Sequence, residues 1–169
     1  MASPYWIPTD TTGRLAILAR PRGGDWLRND VIDWKRAGLH SVVSLLGADE
    51  EAELELEQEA SECDRAGLQF LAAPVMDRGI PDDTVAFGEL AAELAAKVVA
   101  GESIGIHCRI GIGRSPLLAI AVLITLGVSI PEAIRRASEA RGRPVPETPE
   151  QLEWISRFNV PAFAALGSV

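Results

Sequence analysis

Cys108 is followed six residues later by Arg114, with Gly111 and Gly113 between them, in the stretch His107-Cys108-Arg109-Ile110-Gly111-Ile112-Gly113-Arg114-Ser115. A thiol is a poor nucleophile at its reference pKa of roughly 8.5 and becomes a thiolate at neutral pH only where positive charge or aligned amides stabilise it. A helix N-terminus supplies unpaired N–H groups and the positive end of the macrodipole. Gly111 and Gly113 allow the backbone to turn its amides inward as an anion-binding nest, and Arg114 adds a planar fork matched to two phosphoryl oxygens. Ser115 can donate to the sulfur, and His107 can brace the loop from behind. Arg109, Ile110 and Ile112 complete the interior against which a bound group would rest. The stretch therefore predicts a nucleophile beneath an oxyanion cradle, suited to a phosphate ester. The competing reading is a cysteine that packs as a small hydrophobe beside a glycine-rich loop.

Such a cradle needs a strand before it and a helix after it. The apolar run Ser103-Ile104-Gly105-Ile106 is short enough for a strand, and residues 116–124 are apolar on every face and too long for one. A second group is needed as well, because expelling an alkoxide from phosphorus is costly and a positioned acid contributes roughly 10²- to 10⁴-fold. Asp77 is that candidate. It follows a predicted strand over residues 69–75, so it can emerge at the same carboxyl edge as Cys108 if the two strands are parallel neighbours, and Gly79 lets its loop move. The bland alternative is that Asp77 only closes a turn. Asp82 and Asp83 are predicted N-caps of a helix reaching Ala100.

The motif of residues 107–115 resembles the HCxxGxxR[ST] signature of the cysteine-based protein tyrosine phosphatases, and its Arg-Ser-Pro ending is similar to the small dual-specificity branch. The stretch from Ala73 to Asp82 is similar to the Pro-Ile-x-Asp loop carrying the general acid in several small dual-specificity phosphatases. The resemblance spans residues 42–158. It implies a phosphatase with a phosphocysteine intermediate on Cys108, phosphate binding by Arg114 and the loop of residues 109–113, a supporting Ser115 and acid catalysis by Asp77. Gln151 resembles a glutamine that places the hydrolytic water in some relatives; a surface glutamine is the alternative. An acid upstream of a late cysteine motif separates the chain from low-molecular-weight phosphatases, arsenate reductases and the rhodanese-like group. Phosphotyrosine with some phosphoserine/threonine is the expected substrate. The alternatives are a phosphoinositide or other small phosphate ester, and a phosphoresidue-binding module without catalysis.

The remaining elements alternate. Residues 13–19 read as a first strand, residues 26–37 as a helix with apolar spacing at Trp26, Val31 and Trp34, and residues 41–46 as the clearest strand. Ser129 and Glu132 suggest a capping box opening a helix to about Ala140. Arg135, Arg136, Arg141 and Arg143 gather at its end, either to complement the helix dipole or to contact substrate. A last helix is expected from Glu150 to Phe158 or beyond. The alternation predicts an α/β fold: a mainly parallel central sheet of four to five strands with helices on both faces, its ligand site at the carboxyl ends of the strands. One domain is expected over residues 1–169, with residues 1–25 an N-terminal extension and first strand and residues 26–169 the core.

At 47% hydrophobic but only 5% aromatic residues, that core must be mainly aliphatic. The net charge of −8 is local: residues 49–62 hold eight acids and no Lys or Arg, leaving 16 acids against 16 bases elsewhere. The segment reads as a solvated helix running to Ala66, with Leu56, Ala60 and Cys63 on one face; docking of a basic partner is the alternative. Cys63 is expected to pack, or else to shield Cys108 as a disulfide partner. No leader or apolar span is evident, and two histidines and two cysteines make no metal set. The expectation is therefore a cytoplasmic monomer with no metal, no cofactor, no nucleic-acid partner and no membrane span, acting on a phosphorylated protein or small phosphate ester.

Overall fold

A computed structural model describes residues 3–161. Five strands form one sheet in the order β1-β2-β5-β3-β4: β1 (Tyr5–Ile7), β2 (Arg14–Ile17), β3 (Ser41–Ser44), β4 (Gln69–Ala72) and β5 (Ser103–His107). Every pairing is parallel except that of β1 with β2, so the mainly parallel sheet expected from the alternation is present, with one antiparallel edge. Helices cover both faces. They are α1 (Leu27–Arg36), α2 (Ala48–Glu53), α3 (Glu59–Arg65), α4 (Thr84–Val99), α5 (Arg114–Thr125), α6 (Ile130–Arg141) and α7 (Pro149–Ser156).

Alternate strand residues serve alternate faces, as the period of two requires. Leu15, Ile17, Val43, Ile104 and Ile106 join the cluster beneath α4, α5, α6 and α7. Ala16, Leu18 and Val42 join the smaller cluster under α1 and α3, which contains Trp34 and Cys63. The central helix is α5, buried from Arg114 through Ile124, which is why its sequence carries no polar stripe. Caps follow side-chain chemistry. Asp83, and not Asp82, opens α4 by accepting from the Ala86 N–H at 2.9 Å. Ser129 opens α6, but Glu132 does not complete a capping box there, because its carboxylate binds Arg135 and Arg136.

The acidic segment departs from the single solvated helix expected of it. It breaks into α2 and α3 around Glu55, which is left-handed at φ 57°. Leu56 turns into the core while Ala60 stays exposed, so the predicted shared face does not form. The break packs against the loop before α1: the Gly24 N–H donates to the Glu55 carbonyl at 3.1 Å, and a Cβ on Gly23 would lie 1.9 Å from the Leu54 carbonyl oxygen. Among the described residues no helix is long and apolar enough to cross a membrane.

Candidate active site

The central strand β5 ends at His107, and Cys108 opens the loop that climbs to α5. Cys108 is 2% exposed. Its Sγ lies 3.3 Å from the Gly111 N–H and 3.2 Å from Ser115 Oγ, the arrangement expected of a stabilised sulfur. Gly111 has φ 77°, a conformation that disfavours any side chain, and its amide can point at the sulfur only because the chain turns left-handed there. The cup above the sulfur is lined by Asp77, Arg78, Cys108, Ile112, Arg114 and Glu147, with Ile110 at its rim. A wider groove of about 780 Å³ lies between α4 and α7 over Val85, Trp154 and Phe158, but it holds no nucleophile.

Arg114 is the first residue of α5 and only 1% exposed. Its two terminal nitrogens grip Glu50 from α2 at 2.7 and 2.9 Å. One of them also donates to the carbonyls of Val75 (2.9 Å) and Leu45 (3.3 Å), the other to Asp77 Oδ1 at 2.9 Å. Burial opposes the guanidinium charge, but the bond to Glu50 and the proximity of Cys108 outweigh it, and its pKa is raised. In return Arg114 holds the Glu50 carboxyl below its usual range.

Asp77 does emerge at the carboxyl edge beside Cys108, but β4 is not the neighbour of β5; β3 lies between them. The acid reaches over one strand because Arg114 spans the gap. The left-handed residue of its loop is Arg78, at φ 58°, while the Gly79 carbonyl accepts from Gln151 Nε2 at 3.0 Å. Gln151 is fully buried, so the surface-glutamine reading falls. Arg78 and Glu147 face each other across the cup at 3.5 Å.

The supporting residues sit apart from the sulfur. His107 is buried, its Nε2 2.7 Å from Glu59 Oε1 and its ring 5.8 Å from that of Trp34. Among the described residues, neither the second oxygen of Glu59 nor His107 Nδ1 has a hydrogen-bond partner. Arg109 turns outward to Glu53, at 2.6 and 3.2 Å. Arg135 and Arg136 pair with acids of α6 and with Asp10. Arg141 instead meets the loop after Cys108, Nε donating to the Gly111 carbonyl at 2.9 Å and one terminal nitrogen to that of Ile110 at 3.3 Å. Cys63 belongs to the opposite sheet face from Cys108, both thiols are free, and burial together with Glu59 and Glu62 pushes Cys63 up to about 12. A Cys63–Cys108 disulfide does not form.

Sequence reasoning missed Glu50, Glu53 and Glu59, and the role of Arg141. The available signal was the eight acids without a local cation, set against two arginines in the loop motif.

A cysteine cup between a parallel strand and a buried helix, with an aspartate brought in from a neighbouring loop, lies on a fold similar to that of solved protein tyrosine and dual-specificity phosphatases. Kinase-associated phosphatase with its catalytic-site cysteine replaced by serine superposes with a TM-score of 0.83 at 21% identity, over 90% of this chain and 91% of that one. A protein tyrosine phosphatase from Leishmania major gives 0.74 at 21%, over 94% and 99%. PTPMT1 gives 0.69 at 25%, over 89% and 90%, and has also been crystallised with PI(5)P. No protein-family model matches the sequence, and no curated protein matches it.

Proposed function

We propose that the protein is a cysteine-dependent phosphomonoester hydrolase of the tyrosine/dual-specificity type. The observation that carries this reading is the convergence of Cys108 Sγ, its two hydrogen-bond partners, Arg114 and Asp77 on one cup. The Sγ electron pair attacks phosphorus and the bond to the leaving oxygen breaks, that oxygen taking a proton from the Asp77 carboxyl. Amides of the loop 109–114 and the Arg114 guanidinium hold the equatorial oxygens, whose charge they stabilise in the transition state. Water then attacks phosphorus, passing a proton to Asp77; the S–P bond breaks and phosphate leaves. Gln151, which resembles the glutamine that places the hydrolytic water in some relatives, is buried between the Asp77 loop and Gly113, its amide donating to the Gly79 carbonyl and accepting from the Thr148 N–H. Asp77 Oδ1 accepts from the Arg114 nitrogen that a phosphoryl oxygen needs, at 2.9 Å. A phosphoryl oxygen that takes this nitrogen displaces the Asp77 side chain, which takes up a proton on leaving the guanidinium and delivers it to the leaving group.

Phosphotyrosine, with some phosphoserine/threonine, fits a cup in which the loop contributes Ile112, and Ile110 at the rim, rather than lysines. A phosphoinositide is the second reading, and PTPMT1 with PI(5)P is its support. It is disfavoured because Arg78, Arg109 and Arg114 each face a carboxylate of the protein, leaving little free charge for further phosphates. A small aryl phosphate tests the activity. Hydrolysis disappears in Cys108→Ser, while Asp77→Ala loses roughly 10²- to 10⁴-fold, most with the poorer leaving group when phenyl and nitrophenyl esters are compared. Activity retained in Cys108→Ser overturns the reading, and phosphopeptide and phosphoinositide panels separate the two substrate classes.

A further inference from the structure

We infer that Arg141, on the last turn of α6, is a positioning residue that aims the phosphate-loop amides, gripping the loop from outside through its carbonyls. The inference rests on the phosphatase reading for the identity of the anion, but the geometry stands by itself. A trans peptide is planar, and its C=O and N–H point to opposite sides. The carbonyl of Ile110 belongs to the same peptide unit as the N–H of Gly111, and the carbonyl of Gly111 to the same unit as the N–H of Ile112. Arg141 holds both carbonyls, at 3.3 and 2.9 Å. Fixing the first carbonyl outward fixes the Gly111 N–H inward, where it lies 3.3 Å from Cys108 Sγ. Fixing the second turns the Ile112 N–H to the cup side.

This constraint falls where the chain is least able to constrain itself. Gly111 is left-handed at φ 77°, and glycine visits both signs of φ at similar cost, so the flanking peptides could flip without an external hold. A planar guanidinium suits the task, because it meets the two acceptors from two nitrogens held in a fixed fork, whereas an ammonium donates from a single freely rotating centre. The fork is itself fixed: the Arg141 guanidinium carbon stacks 4.4 Å over the Tyr5 ring, so β1 and α6 together hold it against the loop. Arg141 therefore neither complements a helix end alone nor reaches the cup. It acts on bound anion only through backbone it orients, and the N-terminal strand becomes part of the site's support.

Tungstate binding by calorimetry and aryl phosphate kinetics on the full chain test this, with Arg141→Ala, Arg141→Lys and, as a control on the same helix, Arg135→Ala. Losing the fork should weaken tungstate and raise KM roughly tenfold, the size expected when charge-assisted hydrogen bonds are lost, with a smaller effect on kcat. Arg141→Lys keeps the charge and should recover less than half of the loss on a logarithmic scale. Arg135→Ala should bind and turn over as wild type. Full rescue by lysine overturns the inference in favour of charge alone. Unchanged tungstate affinity in Arg141→Ala, even with a lowered melting temperature, overturns it in favour of a merely structural role. Should Arg141→Ala fail to fold, the lysine variant alone decides. If wild type binds tungstate but does not hydrolyse the ester, the enzymatic reading fails while the affinity comparison still judges Arg141.

Discussion

Replacing Glu50 by alanine removes the partner that meets both terminal nitrogens of a guanidinium only 1% exposed. Two charge-assisted hydrogen bonds contribute about 1.5–3 kcal/mol each. The loss is smaller than their sum, because the carbonyls of Leu45 and Val75 and the Asp77 carboxylate stay in reach, and because the Glu50 side chain is itself 17% exposed. We expect a destabilisation of about 2–4 kcal/mol, at the edge of the range for breaking a buried pair. At roughly 2–4 °C per kcal/mol for a chain of this size, the melting temperature falls by about 5–15 °C. A bound dianion returns part of the missing charge, so tungstate should raise the melting temperature of Glu50→Ala more than that of wild type. The pH dependence has a definite sign. Arg114 depresses the Glu50 carboxyl, so its contribution is fully present above the ordinary glutamate value of about 4.3 and is lost as pH falls through the lower folded value. The stability gap between wild type and Glu50→Ala should therefore close in acid. Urea and thermal unfolding from pH 3 to 7, with and without tungstate, measure all of this. A variant melting within about a degree of wild type, with the same tungstate increment, would refute the reasoning and leave Arg114 held by carbonyls alone.

Cys63 supplies a test at the alkaline end. Its folded thiol is pushed up to about 12, so the unfolded chain gives up this proton first and stability drains away above pH 9. By pH 10 the thiol should cost wild type about 1–2 kcal/mol relative to its value at pH 7, a loss absent from Cys63→Ala; parallel urea curves for the two proteins would sink the assignment. Glu59→Ala strands a buried imidazole and should destabilise by about 2–3 kcal/mol, while Glu59→Gln, which keeps an acceptor for Nε2, recovers part of it. Equal urea midpoints for wild type and Glu59→Ala would show that the pair contributes nothing.

The strand, loop and helix around Cys108, and the approach of Ser115 and Arg114 to it, were legible because each is written locally: a β-branched or apolar run, two glycines and a helix too apolar to lie anywhere but the centre. Asp77 was legible from its position after a strand, although its distance across β3 was not, since strand order is not encoded in local pattern. The acidic segment misled for a related reason. Its charges suggest solvent, and a run of glutamates carries no mark of which will face an arginine in a distant loop. Glu50, Glu53 and Glu59 each do so or meet the histidine beside it, and the break at Glu55 that aims them depends on packing against Gly23 and Gly24. Arg141 was ambiguous because an arginine at a helix end satisfies the dipole wherever it points, and only tertiary structure shows it holding Gly111 and Ile110.

The carboxylate beside each arginine around the cup also governs how substrate arrives. Arg78, Arg109 and Arg114 are matched by Glu147, Glu53 and Glu50, on a chain of net charge −8. Viewed from beyond a Debye length, about 8 Å at physiological salt, the mouth offers a phosphate no attractive field. Capture is left to amide dipoles that act only at contact, so encounter is unsteered. Added salt should leave kcat/KM for an anionic ester flat or slightly raised, where a lysine-lined cup would lose rate steeply; a steep fall would mean that the carboxylates swing away before substrate lands.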